Sequence, residues 1–83
     1  MIIGKVTGSV VSTRKNENLV GNKFMIVKPI DEMGIKHNIV AIDNVGAGIG
    51  ETVLVATGSA ARIGCEMADA PIDAAIVGIV DEE

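Results

Sequence analysis

Ile39-Val40-Ala41-Ile42-Asp43-Asn44-Val45-Gly46-Ala47-Gly48-Ile49-Gly50-Glu51-Thr52-Val53-Leu54-Val55-Ala56-Thr57 decides the fold class of this 83-residue chain. Two apolar, β-branched runs flank a turn built on Gly46, Gly48 and Gly50. A dinucleotide-binding loop also sets glycines after a strand, but it needs the spacing G-x-G-x-x-G and a helix whose N-terminus meets the pyrophosphate. Here the spacing is G-x-G-x-G, and the next residues, Glu51-Thr52-Val53-Leu54-Val55, read as a strand. The glycines therefore mark a tight turn that uses φ > 0 and close backbone approach. The stretch reads strand, turn, strand.

The same punctuation continues outward. Residues 2–13 are rich in Ile, Val and Thr and are interrupted by Gly4 and Gly8, as glycines do where a strand bends hard. Residues 14–22 are polar and loop-like. Residues 23–30 read as a strand that stops at Pro29, and Asp31-Glu32-Met33-Gly34 is a turn signal leading to the strand at residues 38–45, so a hairpin is expected. Residues 51–57 form the fourth strand. Residues 58–70 are the least regular, with room for a helical turn around residues 60–63, and residues 74–80 form the last strand. With no linker, repeat or low-complexity tract, residues 1–83 read as a single domain. The expected fold is all-β: a small five-stranded OB-like antiparallel barrel with at most a short helical turn.

Such a barrel with a wet exterior alternates apolar and polar residues along each strand. Phe24-Met25-Ile26-Val27, Ile39-Val40-Ala41-Ile42, Val53-Leu54-Val55-Ala56 and Ala74-Ala75-Ile76-Val77 do not alternate. One face of each run fills the barrel, and no long helix is expected to cover the other. At 48% hydrophobic residues the chain is expected to hide that second face in an obligate oligomer.

Composition removes several function classes. The formal charge of −4 has the wrong sign for binding a phosphate backbone, and 1% aromatic residues leave no stacking platform for single strands, so nucleic acid is not an expected partner. No apolar run approaches the roughly 20 residues that cross a bilayer, and the N-terminus lacks the features of a signal peptide, so a soluble, cytosolic protein is expected. One cysteine cannot make an intramolecular disulfide or a Cys-rich zinc site. Cys65, Glu66 and His37 are the only soft-metal set on offer, and one chain cannot complete it; no metal or cofactor is expected. Asp69 and Asp73 flank Pro71, which spoils a shared helical face, and Asp73 reads as a side-chain cap on the turn before the last strand. Ser9, Ser12 and Ser59 would all have to recruit His37, and no G-x-S-x-G elbow is present. No nucleophile–base–orienter set can be assembled, so no catalytic residue is assigned and the chain is read as a non-enzyme.

Two segments remain. Gly58-Ser59-Ala60-Ala61-Arg62 sets small residues before one Arg; in a ring of identical chains it suits a place near the symmetry axis, lining an opening. Gly46-Ala47-Gly48-Ile49-Gly50-Glu51 suits close approach to a neighbour.

Five segments, in order, carry a resemblance across essentially the whole chain: Lys5-Val6-Thr7-Gly8-Ser9-Val10-Val11-Ser12-Thr13, Leu19-Val20-Gly21-Asn22-Lys23-Phe24-Met25, the run from Val40 through Glu51, Gly58-Ser59-Ala60-Ala61-Arg62, and Pro71-Ile72-Asp73-Ala74-Ala75-Ile76-Val77-Gly78-Ile79-Val80-Asp81. Together they resemble the vertex proteins of bacterial microcompartments, the EutN/CcmL family of carboxysomes and metabolosomes. The resemblance implies a cyclic homopentamer of OB-like barrels in the microcompartment shell of the bacterial cytoplasm. It implies a structural function, closing the five-fold vertices of a shell built mainly from hexameric proteins. In that frame the segment from Gly58 to Arg62 is expected near the central pore, and the turn from Gly46 to Glu51 at the edge that meets hexamers. The competing expectation is an OB-like binding module for a small ligand or oligomer, which would carry aromatic or basic residues on its strand face.

Overall fold

The computed structural model describes residues 1–11, 22–64 and 72–81. Its strands are β1 (Ile2–Val10), β2 (Lys23–Pro29), β3 (Ile39–Asp43), β4 (Thr52–Thr57) and β5 (Ala74–Ile79); one helix, α1 (Ser59–Gly64), lies between β4 and β5, and a 3-10 turn at Asp31–Met33 joins β2 to β3. The expected strands and helical turn are all present, with ends one to three residues different. Nearly all of the expected loop at residues 14–22, the Ser12 and Thr13 end of the first strand and residues 65–70 lie outside the described residues.

The strands close into a barrel in the order β1-β2-β3-β5-β4, β4 returning to β1. All pairs are antiparallel except β3 with β5, which run parallel through Ile42↔Ala75 and Asp43↔Ile76. The expected antiparallel barrel is thus antiparallel in four of its five seams. The connection through α1 turns the chain once more before β5, and so β5 enters beside β3 in the same direction. A walk around the wall from Val10 passes Phe24, Ile42, Ala75 and Ala56; Ala56 is one residue past the Val55 that faces Ile2. The strands therefore return to β1 about a strand-length below the start, the strong stagger that closes a barrel of few strands.

Inside the barrel Val6, Met25, Val27, Ala41, Val53, Val55, Ala74 and Ile76 pack together, with Ala47 from the glycine turn and the half-buried Ile2 and Ile39 at the margins. Branched aliphatics and alanines fill this narrow interior without an aromatic ring. Gly4 lets β1 and β2 touch: a Cβ there would lie 2.5 Å from Val27 Cγ1 and 2.8 Å from the Lys28 carbonyl oxygen. A bulge between Val6 and Gly8 sets Thr7 outside the ladder.

A second, smaller core lies on the outer wall. Ile42, Ala61, Ile72 and Ala75 are buried together, with Phe24 packed against them. Phe24, Ile42 and Ala75 are register partners across β2, β3 and β5, so they form one outward row, and α1 covers it through Ala61. The expectation that no helix covers the outer face is corrected here. One buried alanine on a six-residue helix is enough to seal that row. Beyond that row's centre the outward apolar strand residues include Ile3, Ile26 and Leu54, all half-buried, Val10, which is 36% exposed, and Val40, which is 52% exposed; Val77, half-buried, lies against Gly64 at the end of α1.

Candidate functional site

The turn between β3 and β4 is fixed from its first residue. Asp43, the last residue of β3, is 3% exposed. Its Oδ1 accepts the N–H groups of Val45 at 3.0 Å and Gly46 at 3.2 Å, an Asx turn that bends the chain as it leaves the sheet. Its Oδ2 is buried without a hydrogen-bond partner among the described residues. Gly46 then takes φ +87° and Gly50 φ +93°, a region L side chains rarely adopt. Gly48 has no positive φ; it is held by donating its N–H to Glu51 Oε1 at 2.6 Å, while the Glu51 N–H donates to the Gly48 carbonyl at 3.1 Å. The Gly50 N–H donates to Val6 O at 2.8 Å, and Val6 N–H to Glu51 O at 2.9 Å, which tie the exit of the turn to β1. Ala47 points down into the barrel core and plugs its mouth. Two apolar side chains face outward from this rigid turn, Val45 at 44% and Ile49 at 68% exposed, between the exposed Asn44 and Glu51.

Gly58-Ser59-Ala60-Ala61-Arg62 lies at the other end of β4, about 20 Å away at the rise of a six-residue strand. Gly58 takes φ +65° and donates its N–H to the Asp73 carbonyl at 2.8 Å. Ala61 is fully buried, and Arg62 Nη1 donates to the Ile72 carbonyl at 3.0 Å. Only Ser59 and Ala60 of α1's first turn are exposed. Arg62, half-buried, fastens α1 to the approach to β5 and is not a solvated loop residue. Asp73, expected as a side-chain cap, is exposed and accepts the Gly58 N–H on its backbone oxygen; no bond of its carboxylate is seen among the described residues.

The two candidate segments are thus not one site. Each borders a different open cleft. A cleft of about 510 Å³ beside the glycine turn is lined by Val10, Val11, Phe24, Ala47 and Ile49, with Lys23 at its rim. A cleft of about 550 Å³ at the opposite mouth brings together His37, Asn38, Thr57 and Asp73. Sequence reading did not group these four, which come from the connection before β3, the end of β4 and the approach to β5. Ser9 lines the first cleft and His37 the second, so those two do not meet. Among the described residues no three His, Cys, Asp or Glu side chains gather as a metal site. Cys65, Glu66, Asp69 and Ser12 lie outside the described residues. No described helix is long and apolar enough to cross a membrane. The lone aromatic, Phe24, is half-buried against the α1 cluster and lines one cleft by itself, without the second ring that the stacking faces of OB-like binding modules use.

A family model for the ethanolamine utilisation protein EutN and carboxysome proteins matches residues 1–81. The chain belongs to the EutN/CcmL family. It is 49% identical over 83 residues to the microcompartment shell vertex protein GrpN of Rhodospirillum rubrum, covering 98% of this chain and 93% of that protein. It is 46% identical to the carboxysome shell vertex protein CcmL of Gloeobacter violaceus, covering 98% of this chain and 83% of the relative. Among solved structures, CcmL of Nostoc superposes with a TM-score of 0.90 at 45% identity, covering 100% of this chain and 92% of that one. The pentameric shell protein GrpN of R. rubrum superposes with a TM-score of 0.86 at 49% identity, covering 99% and 95%.

Proposed function

We propose that this EutN/CcmL-family chain is a structural shell protein whose homopentamers cap the five-fold vertices of a bacterial microcompartment in the cytoplasm. The observation that carries the reading is the near full-length match to shell vertex proteins, one of them pentameric, on the same closed barrel. A flat sheet of hexamers curves and closes only where a five-fold unit replaces a six-fold one. In this reading residues 1–83 act as one vertex domain, with no catalytic group.

A closed ring of identical subunits uses heterologous contacts, one face of each barrel against a different face of the next. Outward Ile3, Ile26, Leu54 and Val40, left uncovered by α1, supply the apolar part of that seam. The turn from Gly46 to Glu51 presents Val45 and Ile49 to hexameric shell neighbours. Of the segment from Gly58 to Arg62, Ser59 and Ala60 are free to face the central pore; a structure of the ring with Ser59 far from the axis overturns that placement. Native mass spectrometry tests the whole reading. The expected species has five times the 8.5 kDa subunit mass and survives dilution. A folded monomer at high concentration overturns it.

A further inference from the structure

Lys5 and Lys28 are Cα partners across β1 and β2, and both are exposed on the outer wall. Two like charges placed directly opposite on antiparallel strands repel, at a cost to the pair. Among the described residues no carboxylate pairs with either lysine. Around them lie Thr52, which faces Lys5 from β4, and the half-buried Ile3, Ile26 and Leu54. In a chain of net charge −4 this is a basic point framed by apolar surface. Such a frame excludes water from a contact while the two ammonium groups attract an anion from both sides.

The described exposed acids differ in where they stand. Asp31 and Glu32 follow β2 on the lysines' own side of the barrel. Glu51 is engaged with Gly48. Asp81 follows Val80, whose N–H donates to Thr52 on β4, next to β1. Asp73 alone stands at the start of β5, and β3 and β5 are the two strands that do not neighbour β1 in the barrel order. The basic point on β1 and β2 and this acid at the start of β5 stand on separate, non-adjacent strands of one subunit, so a heterologous ring contact can bring one to the other across a seam.

We propose that the Lys5–Lys28 pair receives the Asp73 carboxylate of a second copy of this chain at every seam of the ring. This rests on the pentamer reading and names the charge pairing that sets its register. Charge complementarity of this kind selects the correct partner face and suppresses wrong ones.

The test is a charge-reversal cycle read by native mass spectrometry and light scattering on dilution at low salt. The double variant Lys5→Glu/Lys28→Glu should shift ring dissociation to about tenfold higher protein concentration, and Asp73→Lys should do the same. The triple variant should recover most of the loss, which no purely structural damage would do. Lys5→Gln/Lys28→Gln, which removes the repulsion without reversing charge, should fold with a circular-dichroism spectrum like the wild type's and should still weaken the ring. A double variant with a wild-type ring, or a triple variant no better than the double, overturns the proposal. A ring that stays intact while shell incorporation is lost also overturns it, because the partner is then another shell protein. Wild type measured alongside separates the two readings: if it forms no pentamer, the vertex reading itself fails.

Discussion

At Gly4 the space for a Cβ is already taken by Val27 and the Lys28 carbonyl, both fixed in the β2 wall. Gly4→Ala is expected to lower stability by about 1–3 kcal/mol through overpacking. Gly46→Ala meets nothing within 4 Å, but its φ of +87° costs a side chain about 1–2 kcal/mol. Gly8→Ala, whose nearest neighbour would be Ile26 Cδ1 at 3.8 Å, should be close to neutral. Denaturant midpoints at one fixed protein concentration check the series, since assembly shifts apparent stability. A neutral Gly4→Ala would mean that β1 and β2 do not approach as described. Asp43 is the other exacting residue. Its Oδ1 holds two turn amides, so Asp43→Ala is expected to cost about 1–3 kcal/mol, and more than Asp43→Asn, which keeps an acceptor oxygen. Equal losses in the two variants would show that the Asx turn contributes little.

At the scale of elements, α1 and the glycine turn do different work. Helix α1 is too short to be stable by itself and persists because Ala61 seats on Ile42 and Ala75. Ala61→Leu has no room there. It should lift α1 from the wall, expose Ile42 and Ala75, and raise binding of a hydrophobic dye together with a lower melting temperature; unchanged dye binding would count against the seal. The glycine turn is held at both ends to β3 and β1, so it projects a fixed shape. Gly48→Trp should leave the barrel folded, displace the Glu51 side chain 3.2 Å away, and reduce shell closure. Closed shells with normal vertex occupancy would remove the turn from the edge. Most of these elements were legible in the sequence, because β-branched runs between Gly and Pro are local signals. The α1 seal was not, since nothing about Ala61 in a run of small residues marks it as core. The role of Arg62 was also hidden, because its partner oxygen lies ten residues on.

For the molecule as a whole, the barrel was readable from strand count and spacing, while its one parallel seam was not. Which strands meet is decided by non-local closure, and β3 and β5 are joined only after two other elements intervene. The Lys5–Lys28 pair was invisible for the same reason: 23 positions separate the two in sequence, and only register makes them neighbours. The unalternating strands pointed correctly to a second buried surface, but it is divided. Part is sealed within the subunit by α1, and the rest is what we propose the seam of the ring covers.

Every described strand has a partner on both sides. A copy arriving from solution therefore finds no bare row of N–H and C=O groups on which to lay a strand, the common route to runaway fibres. Subunits held at high local density must recognise one another through side-chain shape and charge. A wall with no hem cannot be knitted onward strand by strand, and growth has to pass through contacts whose geometry the side chains set.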